Sequence, residues 1–182
     1  YIGSFTNDIV KQKFGIKPIN IDNLSRANKF FAKNFTNNKI NISNINKINN
    51  IIQKSKIETI LHLAAFTCVR ESLKKKKLYR KNNFTDQIKF IDIVKKSGVK
   101  YFIFASSLSV YEKNKINKKL SPYSYYKIKI EKYLKKISSK NFKVIILRYP
   151  NVTGASIDGK LGDANKKISR IFKSIFTSIK NN

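Results

Sequence analysis

Hydrophobic and polar positions follow two periods along this chain, and the period changes repeatedly from segment to segment. Residues 44–54 place isoleucines three and four positions apart, which predicts an amphipathic helix. Short apolar runs bounded by polar residues predict buried strands. The predicted helices cover residues 6–14, 44–54, 84–97 and 123–137, and the predicted strands cover 17–22, 59–64, 101–105 and 144–147. Because strands alternate with helices, we expect an α/β fold with a doubly wound parallel sheet.

Net charge is the most unusual feature of the composition. The 182 residues include 39 Lys and Arg against 10 Asp and Glu, which gives a formal charge of +29. Such an excess is typical of proteins that bind nucleic acid. Here, however, lysines lie on nearly every predicted exposed face, and most Phe and Tyr fall inside apolar patterns instead of beside the lysines. Lys, Asn and Ile are abundant throughout, which favours an A/T-rich coding sequence as the cause, and we expect no specific nucleic-acid partner.

Several other classes of protein are excluded by the composition. The hydrophobic fraction of 41% is sufficient for a core, and the length indicates about one domain. Cys68 is the one cysteine, which excludes a disulfide framework and a cysteine zinc site, and we expect no metal. No apolar run approaches the roughly 18 residues that a bilayer span needs. We therefore expect a cytoplasmic protein without a membrane partner.

Three small features could serve a dinucleotide at the carboxyl ends of the strands. Gly3 precedes a helix, Asp22 ends a strand about 20 positions later, and Ala64 and Ala65 follow another strand. An acid at that distance can accept hydrogen bonds from a ribose hydroxyl. The alternatives stay open, because Asp22 could start an Asx turn and the alanines could serve close packing.

A second group of residues could carry proton transfer. Ser107 follows a strand end, and Tyr123 opens a helix with Lys127 four positions on, so the last two share a helix face. A free tyrosine has a pKa near 10, and a neighbouring cation lowers it, which would make Tyr123 a feasible acid and base. Tyr-x-x-x-Lys also recurs by chance in a lysine-rich chain, so the spacing alone does not decide.

Taken together, these segments resemble the extended short-chain dehydrogenases/reductases of the NAD-dependent epimerase/dehydratase family, and most closely the UDP-glucose 4-epimerases among them. The matching stretches are YIGS (1–4), IDNLS (21–25), HLAAFTCVRES (62–72), LYRKNN (78–83), FIFASSLSVYE (102–112), SPYSYYKIKIEKYL (121–134) and LRYPNVTGASIDGKLGD (147–163). The related dehydratases carry an Asp-Glu pair where this chain has Leu108 and Ser109. This difference favours an epimerase.

The resemblance implies NAD as cofactor and a UDP-sugar as substrate, with UDP-glucose converted to UDP-galactose through a 4-keto sugar. It assigns proton transfer at the 4-hydroxyl to Tyr123, orientation of the 4-oxygen to Ser107, and the lowering of the Tyr123 pKa to Lys127. The implied cofactor contacts are Tyr1, Ile2, Gly3, Asp22, Asn23, Asn41, Ile42, Leu63, Ala64, Ala65, Phe66, Thr67, Asn82, Lys127 and Pro150. The implied substrate contacts are Ser107, Tyr123, Tyr149 and Asn151.

The chain also departs from the family pattern. Asn41 stands where the family usually has Asp, Thr67 replaces a frequent Lys, and Pro150 replaces a frequent Phe. The resemblance implies that a first strand and two glycines precede Tyr1, and that most of a substrate domain follows Asn182. We therefore expect a truncated Rossmann-like NAD-binding domain over residues 1–163 and the start of a substrate-binding region over 164–182.

The resemblance further implies a homodimer of the full-length protein, paired through a helix bundle that includes residues 123–137. Two alternatives remain beside the epimerase: another NAD-dependent nucleotide-sugar epimerase or dehydratase, and a non-catalytic NAD-binding remnant. A basic nucleic-acid-binding domain is the least favoured.

Overall fold

The computed structural model describes residues 1–27, 38–114, 120–162 and 171–181. The chain divides into two compact units, one formed by residues 1–39 and 151–182 and the other by residues 40–150. The predicted boundary between residues 163 and 164, and part of the predicted polar connection over 23–40, lie outside the described residues. The two-domain assignment therefore stays a prediction.

The first unit contains a helix, a short strand pair and a second helix. Helix α1 (Ile2–Phe14) begins four residues before the predicted start and ends at Gly15, whose φ of 64° is the left-handed conformation that glycine adopts without strain. Strand β1 (Ile21–Asp22) pairs in parallel with β2 (Asn38–Lys39). The predicted strand over 17–22 is shorter than expected, and it includes Pro18, which has no amide hydrogen to donate to a ladder.

The second helix of this unit is the last described segment of the chain. It spans Ile171–Asn181. Its exposed apolar side chains are Phe172, Ile175, Phe176 and Ile179.

The second unit is an α/β arrangement built on three parallel strands. Its elements are α2 (Ile45–Lys54), β3 (Thr59–His62), α3 (Val69–Lys74), α4 (Lys76–Arg80), a π-helical turn (Lys81–Thr85), α5 (Asp86–Lys96), β4 (Tyr101–Ser107), a 3-10 helix (Leu108–Asn114), α6 (Pro122–Ile137) and β5 (Lys143–Tyr149). The strand order is β3-β4-β5, with β4 in the centre. The parallel pairing confirms the predicted α/β class.

The register places the carboxyl ends of β4 and β5, which carry predicted site residues, next to one another. His62 pairs with Phe104, and Ser107 at the end of β4 pairs with Tyr149 at the end of β5. Strand β4 extends to Ser107, two residues beyond the predicted end. Ser107 therefore belongs to the strand itself and not to the loop that follows it.

The core of this unit lies between the sheet and two helices. Phe102 and Phe104 of β4 are fully buried, as are Ile91 of α5 and Leu134 of α6. The predicted helix over 84–97 begins at Asp86 and is preceded by the π-helical turn. Asn and Thr are weak helix formers, and this turn contains both, so a local departure from α-helical geometry costs little there.

Among the described residues, no helix combines the length and the apolar character that a membrane crossing requires.

Candidate active site

The catalytic candidates lie at the carboxyl end of β4 and on the first turns of α6. Ser107 is the last residue of β4, and Tyr123 and Lys127 lie one helical turn apart on α6. Helix α6 starts here because Ser121 caps it with a side-chain oxygen that accepts an amide hydrogen bond, and Pro122 occupies the first helical position. The local sequence thus fixes where the Tyr-Lys pair begins.

Tyr123 is almost fully buried, with 7% of its surface exposed. Burial raises the pKa of its phenol above the ordinary value of 10, and the neighbouring Ser107 side chain opposes this effect. The sequence analysis predicted a lowered pKa, so this prediction is wrong for the chain as described. Ser107 nevertheless lies close enough to act on the Tyr123 phenol, so the structure brings these two predicted residues together.

Lys127 is a buried cation, with 5% of its surface exposed. Its Nζ donates a hydrogen bond of 2.5 Å to the carbonyl oxygen of Ala105 and lies 4.5 Å from the ring centroid of Phe104. Burial lowers the pKa of Lys127 to about 7, against the negative charge of Glu131, which raises it. At neutral pH this lysine therefore lies near the midpoint between its charged and neutral forms.

A buried acid beside Lys127 was missed by the sequence analysis. Glu131 lies one turn after Lys127, is 4% exposed, and accepts hydrogen bonds from Ser106 (2.5 Å) and Arg148 (2.7 and 3.0 Å). The available signal was the spacing, because Tyr123, Lys127 and Glu131 occupy positions i, i+4 and i+8 of one helix.

The loop that follows β3 is fixed by a second residue that sequence reasoning missed. Asn83, 2% exposed, accepts a hydrogen bond from the amide of Phe66 (3.0 Å) and donates one to its carbonyl oxygen (2.8 Å). Asn82 donates to the side-chain oxygen of Asn83 (2.7 Å), and Gln87 donates to the carbonyl oxygen of Ala64 (3.3 Å). These bonds hold the predicted cofactor loop, residues 63–67, beside the π-helical turn.

His62 ends β3 directly before that loop and was also not predicted. It is 5% exposed, and its ring centroid lies 4.8 Å from that of Phe90 and 6.1 Å from that of Phe104. Burial and the positive charge of Lys127 lower the pKa of His62 to about 3. The ring is therefore neutral at physiological pH.

The predicted substrate and nicotinamide positions around β5 are divided between the two units. Tyr149 is the register partner of Ser107, so these residues share one edge of the sheet. Pro150 follows it and is exposed, whereas the exposed Asn151 belongs to the other unit. The described structure thus brings together Ser107, Tyr123, Lys127 and Tyr149.

The predicted adenosine-side residues of the first unit form local turns. Gly3 lies within the first turn of α1, after Tyr1 and Ile2, and that turn has no side-chain cap. Asp22 Oδ1 accepts a hydrogen bond from the amide two residues on (2.7 Å), which is the Asx turn considered above, and Asn23 forms a similar turn (3.0 Å). The second carboxylate oxygen of Asp22 accepts no hydrogen bond from the described residues.

The predicted cofactor contacts Asn41 and Ile42 precede α2. Asn41 Oδ1 accepts hydrogen bonds from the amide and the hydroxyl of Ser43, at 3.0 and 3.1 Å. Ile42 is half-buried. The amide oxygen of Asn41 therefore already serves a turn, and the cofactor contact stays a prediction.

Comparison with known proteins agrees with this arrangement of strands and side chains. A UDP-glucose 4-epimerase from Lactobacillus helveticus is 32% identical over 133 residues, which cover 68% of this chain and 40% of the relative. A UDP-glucose 4-epimerase from Erwinia amylovora is 30% identical over 182 residues, which cover 90% of this chain and 54% of the relative. The chain thus spans about half, or less, of the length of these relatives.

Solved structures give the same result. A UDP-N-acetylglucosamine 4-epimerase from Methanobrevibacter ruminantium, in complex with UDP-N-acetylmuramic acid, is 28% identical with a TM-score of 0.78, covering all of this chain and 60% of that one. A UDP-glucose 4-epimerase from Brucella ovis, in complex with NAD, is 25% identical with a TM-score of 0.79, covering 89% and 52%. The family model of the NAD dependent epimerase/dehydratase family matches residues 1–179. The chain therefore belongs to the NAD dependent epimerase/dehydratase family.

Proposed function

We propose that this chain supplies the cofactor-binding and proton-transfer part of an NAD-dependent 4-epimerase that interconverts UDP-glucose and UDP-galactose. The observation that carries the proposal is the placement of Ser107, at the carboxyl end of β4, beside Tyr123, with the buried Lys127 one helical turn away. The relatives named as UDP-glucose 4-epimerases support the choice of substrate.

In this proposal Tyr123 takes the proton from the sugar 4-hydroxyl and later returns it. Ser107 donates a hydrogen bond to the same oxygen and holds it within reach of the phenol. Because burial raises the pKa of Tyr123, the phenol needs a positive charge nearby to give up its proton near neutral pH. Lys127 provides that charge when it is protonated. The bound NAD supplies the acceptor and the donor of the hydride.

The residues of this chain fit a dinucleotide in two respects. The loop over residues 63–67 contains Ala64 and Ala65, whose small side chains allow backbone to approach a ligand, and Asn83 holds this loop in place. In the other unit, Asp22 keeps one carboxylate oxygen unused by the described residues, which suits a ribose hydroxyl. We expect these residues, with Asn82 and Lys127, to contact NAD.

Turnover of UDP-galactose by the complete product of the reading frame tests the proposal. Tyr123→Phe removes the phenol oxygen that exchanges the proton, so we expect loss of turnover by at least about a hundredfold with NAD affinity retained. Tyr125→Phe is the matched control, because it makes the same change on the same helix at a side chain that is 44% exposed. UDP-N-acetylglucosamine is assayed in parallel, since the Methanobrevibacter ruminantium relative is named for it.

The outcomes separate the alternatives. Near-normal turnover by Tyr123→Phe contradicts the assigned role of the phenol. NAD binding by the wild-type protein without turnover of any UDP-sugar favours a non-catalytic nucleotide-binding remnant. Exclusive turnover of the N-acetylated sugar keeps the mechanism and changes the substrate.

A further inference from the structure

Glu131 and Arg148 form a partly buried ion pair that the proposed proton transfer does not use. Two guanidinium nitrogens of Arg148 donate to the two carboxylate oxygens of Glu131, at 2.7 and 3.0 Å, and Ser106 donates a third hydrogen bond at 2.5 Å. The Glu131 side chain is 6% exposed and that of Arg148 is 32% exposed. A bidentate contact of this kind fixes direction as well as distance.

The ion pair connects α6 to the strand ends that carry the site. Ser106 and Arg148 are register partners on β4 and β5, and each directly precedes a site residue, Ser107 and Tyr149 respectively. Glu131 therefore binds α6 to both strands at one level of the sheet. A rotation or slide of the helix relative to the strands would break three hydrogen bonds.

The same carboxylate acts on Lys127 through its charge. Burial disfavours the charged form of Lys127, and Glu131, one turn away on the same helix face, raises the pKa of that lysine. Arg148 and Ser106 in turn lower the pKa of Glu131, so that it carries its negative charge. The guanidinium also donates to the Tyr111 hydroxyl at 2.7 Å, which holds its outer end.

Two further groups face this cluster. Lys135, on the same helix, helps to lower the pKa of Glu131. His62 of β3 contacts the same Phe104 ring as Lys127 and is neutral, because its pKa is about 3. Glu131 is therefore the group whose negative charge supports the charged form of Lys127.

We propose that Glu131 is a positioning residue for the 4-epimerase reaction: held by Arg148 and Ser106, its carboxylate keeps Lys127 charged and keeps the Tyr123–Lys127 face of α6 aligned with the end of β4. The effect of Glu131 on catalysis rests on the proposed function. The effect of Glu131 on the charge of Lys127 does not depend on that function.

The electrostatic part is tested by NMR titration of the Lys127 side chain in 13C-lysine-labelled chain without nucleotide. Lys127→Arg identifies the signal by its disappearance. Glu131→Gln keeps an oxygen acceptor for Ser106 but removes the charge, and it should move the Lys127 midpoint down by about one pH unit. The double variant Glu131→Gln with Arg148→Met leaves no uncompensated guanidinium and should show the same change.

A second readout uses the complete product of the reading frame. Glu131→Gln should lower kcat about fivefold at pH 7, because a Lys127 midpoint that moves from about 7 to about 6 reduces the charged fraction from about one half to about one tenth, with KM for the UDP-sugar unchanged and a narrower pH profile. Glu131→Asp, which restores the charge, should recover part of kcat. Ile130→Val, a buried change on the same helix outside the charge cluster, controls for lost packing.

An unchanged Lys127 midpoint in both folded variants overturns the proposal, as does the unfolding of both, which would make the ion pair purely structural. A shifted midpoint in a protein without epimerase activity keeps the electrostatic role of Glu131 and rejects the proposed function instead. The two failures are thereby distinguishable.

Discussion

Replacement of Lys127 by methionine should stabilise the folded chain at neutral pH, although it removes a predicted catalytic residue. Lys127 is 5% exposed, and burial lowers its pKa from 10.5 to about 7. Methionine has nearly the same length and carries no charge, so it fills the same space above Phe104 without the cost of burying an ammonium group.

The magnitude follows from the difference between the two pKa values. Between pH 7 and 10.5 the unfolded chain binds a proton at Lys127 that the folded chain does not, so the stability of the wild type rises with pH across that window. At about 1.4 kcal/mol for each pKa unit, the free energy of unfolding of the wild type rises by about 5 kcal/mol across the whole window. From pH 6 to pH 9.5 the stability advantage of Lys127→Met should shrink by about 3 kcal/mol.

Urea unfolding of both chains at several pH values between 6 and 9.5, without nucleotide, measures this advantage. Groups that titrate identically in both chains cancel in the difference. Lys132→Met, on the exposed face of the same helix, provides the correction for lowering the net charge by one. A difference between wild type and Lys127→Met that stays constant over this range would refute the reasoning, because it would mean that folding leaves the pKa of Lys127 where it is in the unfolded chain.

Two further predictions concern the loop after β3 and His62, the residue that precedes this loop. Asn83→Ala removes both bonds to the Phe66 backbone, so the free energy of unfolding should fall by about 1–3 kcal/mol and NAD should bind more weakly; Asn82→Ala, which loses one bond, should cost about 1 kcal/mol. His62 is the one histidine of the chain, so its ring NMR signals need no assignment, and they should not titrate between pH 5 and 8 because the pKa of His62 is about 3. Since that value lies below the unfolded one, the folded chain should lose stability as pH falls from 6.5 towards 3, and a midpoint near 6.5 would contradict the burial of the ring.

The elements of the fold could be predicted where the spacing of apolar side chains agrees with residues that end a helix or strand, such as glycine. Tyr101 begins β4 and Ile137 ends α6 as the apolar patterns indicate, and Gly15 ends α1. The pattern failed on both sides of the π-helical turn, because α3 and α4 were not predicted and the helix predicted over 84–97 begins only at Asp86. Asn83 of this turn bonds Phe66, which lies 17 positions away in sequence, and a contact between residues so far apart leaves no local pattern.

The catalytic candidates could be proposed from the sequence, whereas the residues that support them were harder to find. Ser107, Tyr123 and Lys127 could be singled out because a strand end and an i, i+4 spacing constrain where they lie, and their catalytic roles stay predictions. Glu131 continues this spacing, but an acid on a lysine-rich helix gives no sign in the sequence that it is buried. Arg148 could not be found, because it is one of 39 basic residues and only strand register brings it to the helix.

Burial, not charge excess, therefore distinguishes the proposed catalytic lysine from the exposed lysines of its helix. Lys127 lies at 5% exposure beside a carboxylate, whereas Lys129 and Lys132 of the same helix are exposed. An exposed lysine interacts weakly with its neighbours through water and salt, but a buried one depends on every charge around it. Drift in coding composition can thus add lysines to the surface at little cost. The same drift at Glu131 would leave Lys127 without its counter-charge, so if the proposed proton transfer is under selection, basic substitution should be resisted at this acid more strongly than at the exposed positions of α6.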